Sequence, residues 1–239
     1  MLLLQQSPSL RSAFQNQVDQ NISAKREEFQ EYLGEGFLSS LGGVVFDIRQ
    51  FKNQLKGSMG EKIVSQLLQS LPDTWTMFNN ALIPSAMGKL TEIDHLIVGL
   101  GGVFLVEVKT WQGSFSAYKD KWKRRERDKW VSITKSPTSQ SAFHQKMFEQ
   151  WMASEVPNIP NNAIVAPVIF TVAQWVGTTD CSVPVLHGFL ALQEMLVNSP
   201  NCLSADRVST ISATVANYTI RARAATPKPI LKPKKIGDS

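Results

Sequence analysis

Apolar residues recur at two different periods along this chain, and the changes of period mark out its elements. Over residues 9–33, Phe14, Val18, Ile22, Phe29 and Leu33 fall at helical spacing in a polar background, and Gly34-Glu35-Gly36 ends the run. A second helical stripe, Val44, Ile48, Phe51 and Leu55, follows Gly42-Gly43. A third helix opens at Gly57-Ser58-Met59-Gly60-Glu61 and puts Ile63, Val64, Leu67, Leu68 and Leu71 on its inner side. The period then shortens. Residues 75–83 read as the first strand and residues 84–88 as its turn. Two runs rich in Val, Ile, Leu and Phe, within residues 91–111, flank Gly99-Leu100-Gly101-Gly102 and read as a tight β-hairpin. Residues 114–118 and 121–133 form a further hairpin or an extended loop. Ser136-Pro137-Thr138-Ser139-Gln140 leads into a helix through Trp151, with Phe143, Met147, Phe148 and Trp151 on its apolar side. Residues 162–170 are the most apolar strand, followed by a strand at 183–186 and short helices near 190–197 and 204–221. The core order is helix, three antiparallel strands, helix, strand, which is an α/β pattern.

The hairpin carries the chemistry. With Leu100-Gly101 as the turn, Gly99 faces Gly102 and, in the same register, Asp94 faces Glu107. Residues opposed across an antiparallel pair have Cβ atoms about 4.5–5.5 Å apart. Lys109 shares the face of Glu107, because side chains alternate along a strand. Two carboxylates and a lysine therefore meet in an otherwise apolar hairpin. Like charges so placed repel, and burial makes this worse. A divalent cation held by both carboxylates would offset the repulsion, since hard cations take carboxylate oxygens. Neutralisation by Lys109 and solvent at a wet sheet end is the other reading. Of the histidines, His95 follows Asp94 and points to the opposite sheet face, packed or backbone-bonded. His144 lies one helical turn beyond Gln140, within reach of the site, but surface placement is preferred. His187 stands before Gly188 near a strand end, and the three make no metal site.

The strings Gly60-Glu61-Lys62, Glu92-Ile93-Asp94-His95, Gly102-Val103-Phe104 and Glu107-Val108-Lys109-Thr110-Trp111-Gln112-Gly113 resemble, in order and spacing, the nuclease-related domain (NERD) family. Asp94 followed by Glu107-Val108-Lys109 is similar to the D…(D/E)xK signature of the restriction-endonuclease-like superfamily that contains it. The resemblance covers roughly residues 56–172 and departs at Ile93, where the superfamily often has proline. It implies an αβββαβ core with a mixed sheet flanked by helices. It also implies metal-dependent hydrolysis of DNA phosphodiester bonds, with Asp94, Glu107 and the Val108 carbonyl holding Mg²⁺ or Mn²⁺. Lys109, flanked by carboxylates, suits water positioning and transition-state charge stabilisation better than proton abstraction. Glu61, an acidic group from the first core helix, would bind a second metal or orient the water. Its spacing from Ser58 is equally that of a capping box, and both roles stay open. Pro137-Thr138-Ser139-Gln140 is similar to the family's Pro-x-x-Gln element, which would place Gln140 on a phosphate or water.

Composition narrows the alternatives. Hydrophobic residues at 43% and charged residues at 19% describe an ordinary globular protein. Cys181 and Cys202 have neither metal-type spacing nor a disulfide framework. No P-loop, dinucleotide-binding or G-x-S-x-G motif occurs, which disfavours nucleotide-driven and serine-hydrolase chemistry. The start, Met1-Leu2-Leu3-Leu4, lacks the layout of a signal peptide, and no apolar run approaches the ~20 residues of a membrane span. A cytoplasmic setting without membrane contact is expected. The net charge of +5 is concentrated in two places. Residues 119–129 hold seven Lys/Arg against three Asp/Glu, and residues 226–239 hold four Lys against one Asp. In the first, Lys121, Lys123, Arg124, Arg125 and Arg127, interleaved with Trp122 and Trp130, suit phosphate contact and base stacking, or form a solvated hairpin face. The second has the composition of a flexible tail. The expected organisation is an N-terminal helical extension (1–55), a nuclease-like domain (56–225) and a basic tail (226–239). DNA is the expected partner, with RNA second, and the N-terminal helices offer a docking surface for a protein. The alternative function is a non-catalytic nucleic-acid- or protein-binding module on a nuclease-like fold.

Overall fold

The computed structural model describes residues 1–33, 62, 64–66, 68, 71–160 and 162–219. Its central sheet has seven strands and is organised by the predicted hairpin. β3 (Leu90–Gly99) and β4 (Gly102–Lys109) pair antiparallel from Gly99↔Gly102 to His95↔Val106, the register read from the turn. Gly102 adopts a positive φ of 131°, and a Cβ there would come within 2.6 Å of the Ala163 carbonyl. Only glycine suits that position. Outside this hairpin, β2 (Thr76–Pro84) pairs antiparallel with β3. On the other side of β4, β8 (Ile164–Val165) and β9 (Val168–Phe170) run parallel to it, followed by β11 (Val185–His187) beside β9. The predicted single strand at 162–170 is thus two short strands. Pro167 lies between them, and it has no N–H to give a ladder.

Two strands escaped the sequence pattern. β1 (Leu2–Leu4) adds to the sheet edge, parallel to β2, although its residues are largely exposed. β10 (Trp175–Thr179) has only two large apolar residues and no buried position, and it belongs to a second, four-stranded sheet. That sheet has the order β10-β5-β6-β7, with β5 (Ser114–Tyr118), β6 (Lys121–Glu126) and β7 (Lys129–Ser132). Residues 114–132 are therefore a meander of three strands rather than a loop.

Helices cover both faces of the central sheet. α1 (Pro8–Leu33) starts where the pattern predicted and packs Leu10 against Leu82 and Leu90. α2 (Pro137–Glu155) and α4 (Ala205–Ala216) cover one face, through Phe148, Trp151 and Met152 and through Val208, Ile211 and Val215. The other face is covered by the helical positions around 64–68, through Val64 and Leu68, and by α3 (Phe189–Asn198), through Leu192 and Leu196. Truncating a fully buried aromatic side chain such as Phe148 to alanine would cost about 3–5 kcal/mol. The result is a mixed α/β fold of the restriction-endonuclease-like kind, with helix, three antiparallel strands, helix and strand in the expected order. The stripe at 44–55 and the tail at 226–239 lie outside the described residues.

One face was assigned wrongly. α2 buries Ser141, His144, Phe148, Trp151 and Met152, and Phe143 is 42% exposed. His144, expected at the surface, takes the inner place that hydrophobicity alone gave to Phe143. The inward-facing side of that helix meets polar groups at its first turns, where imidazole finds partners and a phenyl ring would not.

Candidate active site

Strands β3 and β4 part company where the acidic residues stand. Their ladder ends at His95↔Val106, while on its other edge β4 pairs Glu107 to Lys109 with Val168 to Phe170 of β9. Glu107 N–H donates to the Pro167 carbonyl, and Lys109 C=O accepts from Thr171 N–H. Backbone groups of successive residues point to opposite sides of a strand, so those of Val108 face β3. Its N–H donates to Asp94 Oδ2 at 2.7 Å. Asp94 thus replaces a ladder bond at the fork rather than facing Glu107 as a regular cross-strand pair, and it lies one peptide from Glu107. The pleat is disturbed there as well. Asn80, in the partner position on β2, has a φ of +52° and leaves a gap in the β2–β3 ladder.

Glu107 is buried, 3% exposed. Its Oε1 receives the Lys109 ammonium at 2.5 Å, and its buried Oε2 has no hydrogen-bond partner. His144 Nδ1 stands 3.6 Å from that oxygen, too long for a hydrogen bond. A buried acceptor without a donor costs about 1–3 kcal/mol, and more if charged. His144 Nε2 lies 3.1 Å from the Thr91 hydroxyl. Burial holds the His144 imidazole below the ordinary histidine range; Glu107 pulls it up and Lys109 pushes it down. A neutral ring with its proton on Nδ1 accepts from Thr91 and turns its N–H toward Glu107.

Gln140 stands one helical turn before His144 on α2. Ser136 caps that helix by accepting from Ser139 N–H at 3.1 Å, and Pro137 opens it. The cap fixes the first turn so that Gln140 Oε1 lies 3.3 Å from Lys109 Nζ. The Lys109 ammonium also sits 6.0 Å from the Trp111 ring centre. The fork therefore gathers Asp94, Glu107, Val108, Lys109 and Gln140. It adds Thr91, which sequence reasoning missed, and His144, for which that reasoning preferred the surface. The i, i+4 spacing from Gln140 was the only signal for His144, and Thr91 gave none. Glu61 lies outside the described residues. Among the described residues no three His, Cys, Asp or Glu side chains form a metal-binding group. Two carboxylates nevertheless suit Mg²⁺, which keeps several waters and takes one or two carboxylates. The orphaned Glu107 Oε2 and the fork-facing backbone of Val108 fit such an ion.

The basic arm is not gathered at the fork. Lys121, Lys123, Arg124, Arg125 and Arg127 are all exposed on the second sheet. Trp122, expected among them as a stacking ring, is 2% exposed instead. Its Nε1–H donates to Thr138 at 3.0 Å, and its ring stacks on Phe170. Alternation along β6 sends every second side chain to the core, and Trp122 falls on that side. His95 is packed inside and bonds Asn79 through Nδ1 at 2.8 Å, as its position opposite Asp94 implied. His187, at the end of β11, bonds the Ala173 carbonyl through Nε2. No helix among the described residues is long and apolar enough to cross a membrane.

Comparison with known proteins agrees with this architecture. Residues 56–171 match the model of the nuclease-related domain, NERD. That stretch is a nuclease-related domain, a branch of the restriction-endonuclease-like superfamily. It is also 37% identical over 59 residues to an uncharacterized protein of Bacillus anthracis, a match covering 24% of this chain and 28% of that protein. No solved structure matches the chain.

Proposed function

We propose that the domain is a metal-dependent nuclease that hydrolyses phosphodiester bonds of DNA, with RNA as the second candidate substrate. The observation that carries this reading is the buried Glu107 Oε2, which has no hydrogen-bond partner beside a fork that also holds Asp94. Asp94, Glu107 and the Val108 carbonyl would hold Mg²⁺ or Mn²⁺. Such an ion, when bound, supplies Lewis acidity and a water of lowered pKa. Lys109 places its ammonium where negative charge develops on a phosphate, and Gln140 steadies that ammonium. His144, held by Thr91, directs Glu107. Glu61 joins the proposal as a further acidic group or as the cap of its helix. Lys121, Lys123, Arg124, Arg125 and Arg127 would neutralise backbone phosphates of the substrate.

A second reading rests on the 2.5 Å contact between Lys109 and Glu107, which neutralises one carboxylate without any metal. On that reading the protein grips nucleic acid or a protein partner without cutting. Cleavage of linear, circular, single-stranded and RNA substrates, with and without Mg²⁺, separates the two. The nuclease reading expects metal-dependent products from at least one substrate. Absence of cleavage with Mg²⁺ or Mn²⁺, together with wild-type DNA binding by Asp94→Asn, would install the binding module in its place.

A further inference from the structure

The second sheet has a face whose aromatic rings the nuclease reading leaves unused. Its inner side carries Phe115, Ala117 and Trp122 into the core. Its outer side is sorted by the pleat. Tyr118 pairs with Lys121, Lys123 with Ser132, Arg125 with Trp130, and Trp175 with Ser114. Continuing the β5–β6 register by one pair places Ser114 beside Arg125, so Trp175, Ser114, Arg125 and Trp130 lie in one row across all four strands. The two tryptophans come from the two edge strands and meet at 5.9 Å between ring centres. They are 49% and 41% exposed, and Tyr118 is 54% exposed. A Cβ on Gly177 would run into the Trp175 ring at 2.2 Å, so the missing side chain lets that ring lie down on the sheet.

Charge on this face has one sign. Lys121, Lys123 and Arg125 share it with the rings. Glu126 shares the opposite face with Arg124, to which it is ion-paired. Asp120 is turned aside to accept the Ser182 N–H at 3.0 Å, and Asp128 lies in the β6–β7 turn. Water-exposed aromatic rings among cations, with no carboxylate between them, match the alternating bases and phosphates of an unpaired strand. A duplex hides its base faces and offers only phosphates. The position also fits. Four residues separate the end of β4 at Lys109 from the start of β5, and four separate the end of β9 at Phe170 from the start of β10. Five virtual bonds span at most about 18 Å, so Ser114 and Trp175, in the first row of this face, lie within that reach of Lys109 and Phe170.

We propose that this outer face, with Trp130, Trp175 and Tyr118 among Lys121, Lys123 and Arg125, is a stacking platform for single-stranded nucleic acid. It rests on the reading that the domain handles nucleic acid and is independent of hydrolysis. Binding of a thymidine oligonucleotide and of a duplex of equal length is measured with the full chain in EDTA, by fluorescence anisotropy. The oligonucleotide should protect tryptophan fluorescence from acrylamide, since Trp130 and Trp175 are the exposed indoles. Trp130→Ala and Trp175→Ala should each weaken single-strand binding about five- to hundredfold, and Phe at either position should restore most of it. Duplex binding should change less. A folded double variant with single-strand affinity within twofold of wild type would overturn the platform. So would indoles already shielded from acrylamide in the free protein, which would assign the face to a covering segment or a second copy. Binding of duplex but not of the oligonucleotide would remove the platform alone, whereas binding of neither would remove the nucleic-acid reading with it. Absence of cleavage leaves the result untouched.

Discussion

In the β3–β4 hairpin most side chains are buried, and its few charges each meet specific partners. In the β5–β7 meander that follows, nearly every residue of β6 and β7 is exposed, and charges crowd together in water. Both are antiparallel strands joined by tight turns, and both obey the same alternation. They differ in what a charge means. Inside the hairpin, Glu107 has one oxygen matched by Lys109 and the other unmatched, so the energetic cost is specific to one atom. On the meander, exposed ion pairs such as Arg124–Glu126 are worth about 0–1 kcal/mol each, and only their sum matters. A single substitution should therefore silence the first region, whereas the second should weaken by degrees.

The sharpest break of that contrast is expected from Asp94→Asn and Glu107→Gln. Each keeps size and a carbonyl oxygen while removing the charge that would hold a metal, so cleavage should fall below detection with a native circular-dichroism spectrum. Activity within tenfold of wild type in either variant would show that the fork is not the catalytic centre. Next comes Trp122→Ala. Although it stands among the basic residues, it should cost about 3–5 kcal/mol in denaturant melts, because its ring belongs to the core. Trp130→Ala, on the exposed side of the same meander, should stay within about 0.5 kcal/mol. Equal losses would mean that the two faces of the sheet are not distinguished as described.

Lys109→Ala should lower the rate about 10²–10³-fold while calorimetric metal binding persists, because its ammonium acts on developing charge rather than in coordination. Lost metal binding would instead make it a partner of Glu107 only. The smallest and most graded effect belongs to the arm. Neutralising Lys121, Lys123 and Arg125 should reduce the salt dependence of single-strand binding by about 0.7 of a slope unit for each phosphate no longer neutralised. Arg124, paired to Glu126 on the other face, should matter less, and removal of residues 226–239 least of all. A tail deletion that outweighs the triple variant would relocate the phosphate-binding groups.

Much of the fork is legible in the chain itself. Gly99-Leu100-Gly101-Gly102 fixes the turn, the turn fixes the register, and the register brings Asp94 level with Glu107. The parting of the strands is not legible there. The ladder stops at His95↔Val106, and the Val108 N–H that would continue it toward β3 is taken by the Asp94 side chain, beside the break at Asn80 on β2. The inward turn of His144 was hidden for a related reason. Hydrophobic periodicity ranks Phe143 above a histidine for burial, and only the carboxylate and hydroxyl waiting on β4 and β3 reverse that order.

The sequence by itself determined the local and repetitive features: the hairpin and its register, the helix periods, the capped start of α2, the placing of positive charge and the family motifs. These depend on neighbours a few residues apart, where sterics and hydrogen-bond geometry leave few choices. Tertiary structure alone decided which side of the meander faces water, that Trp122 lies inside while Trp130 and Trp175 meet outside, and that β1 and β10 are strands at all. Those outcomes depend on contacts between segments far apart in the chain. Burial is a property of the partner surface as much as of the residue that meets it.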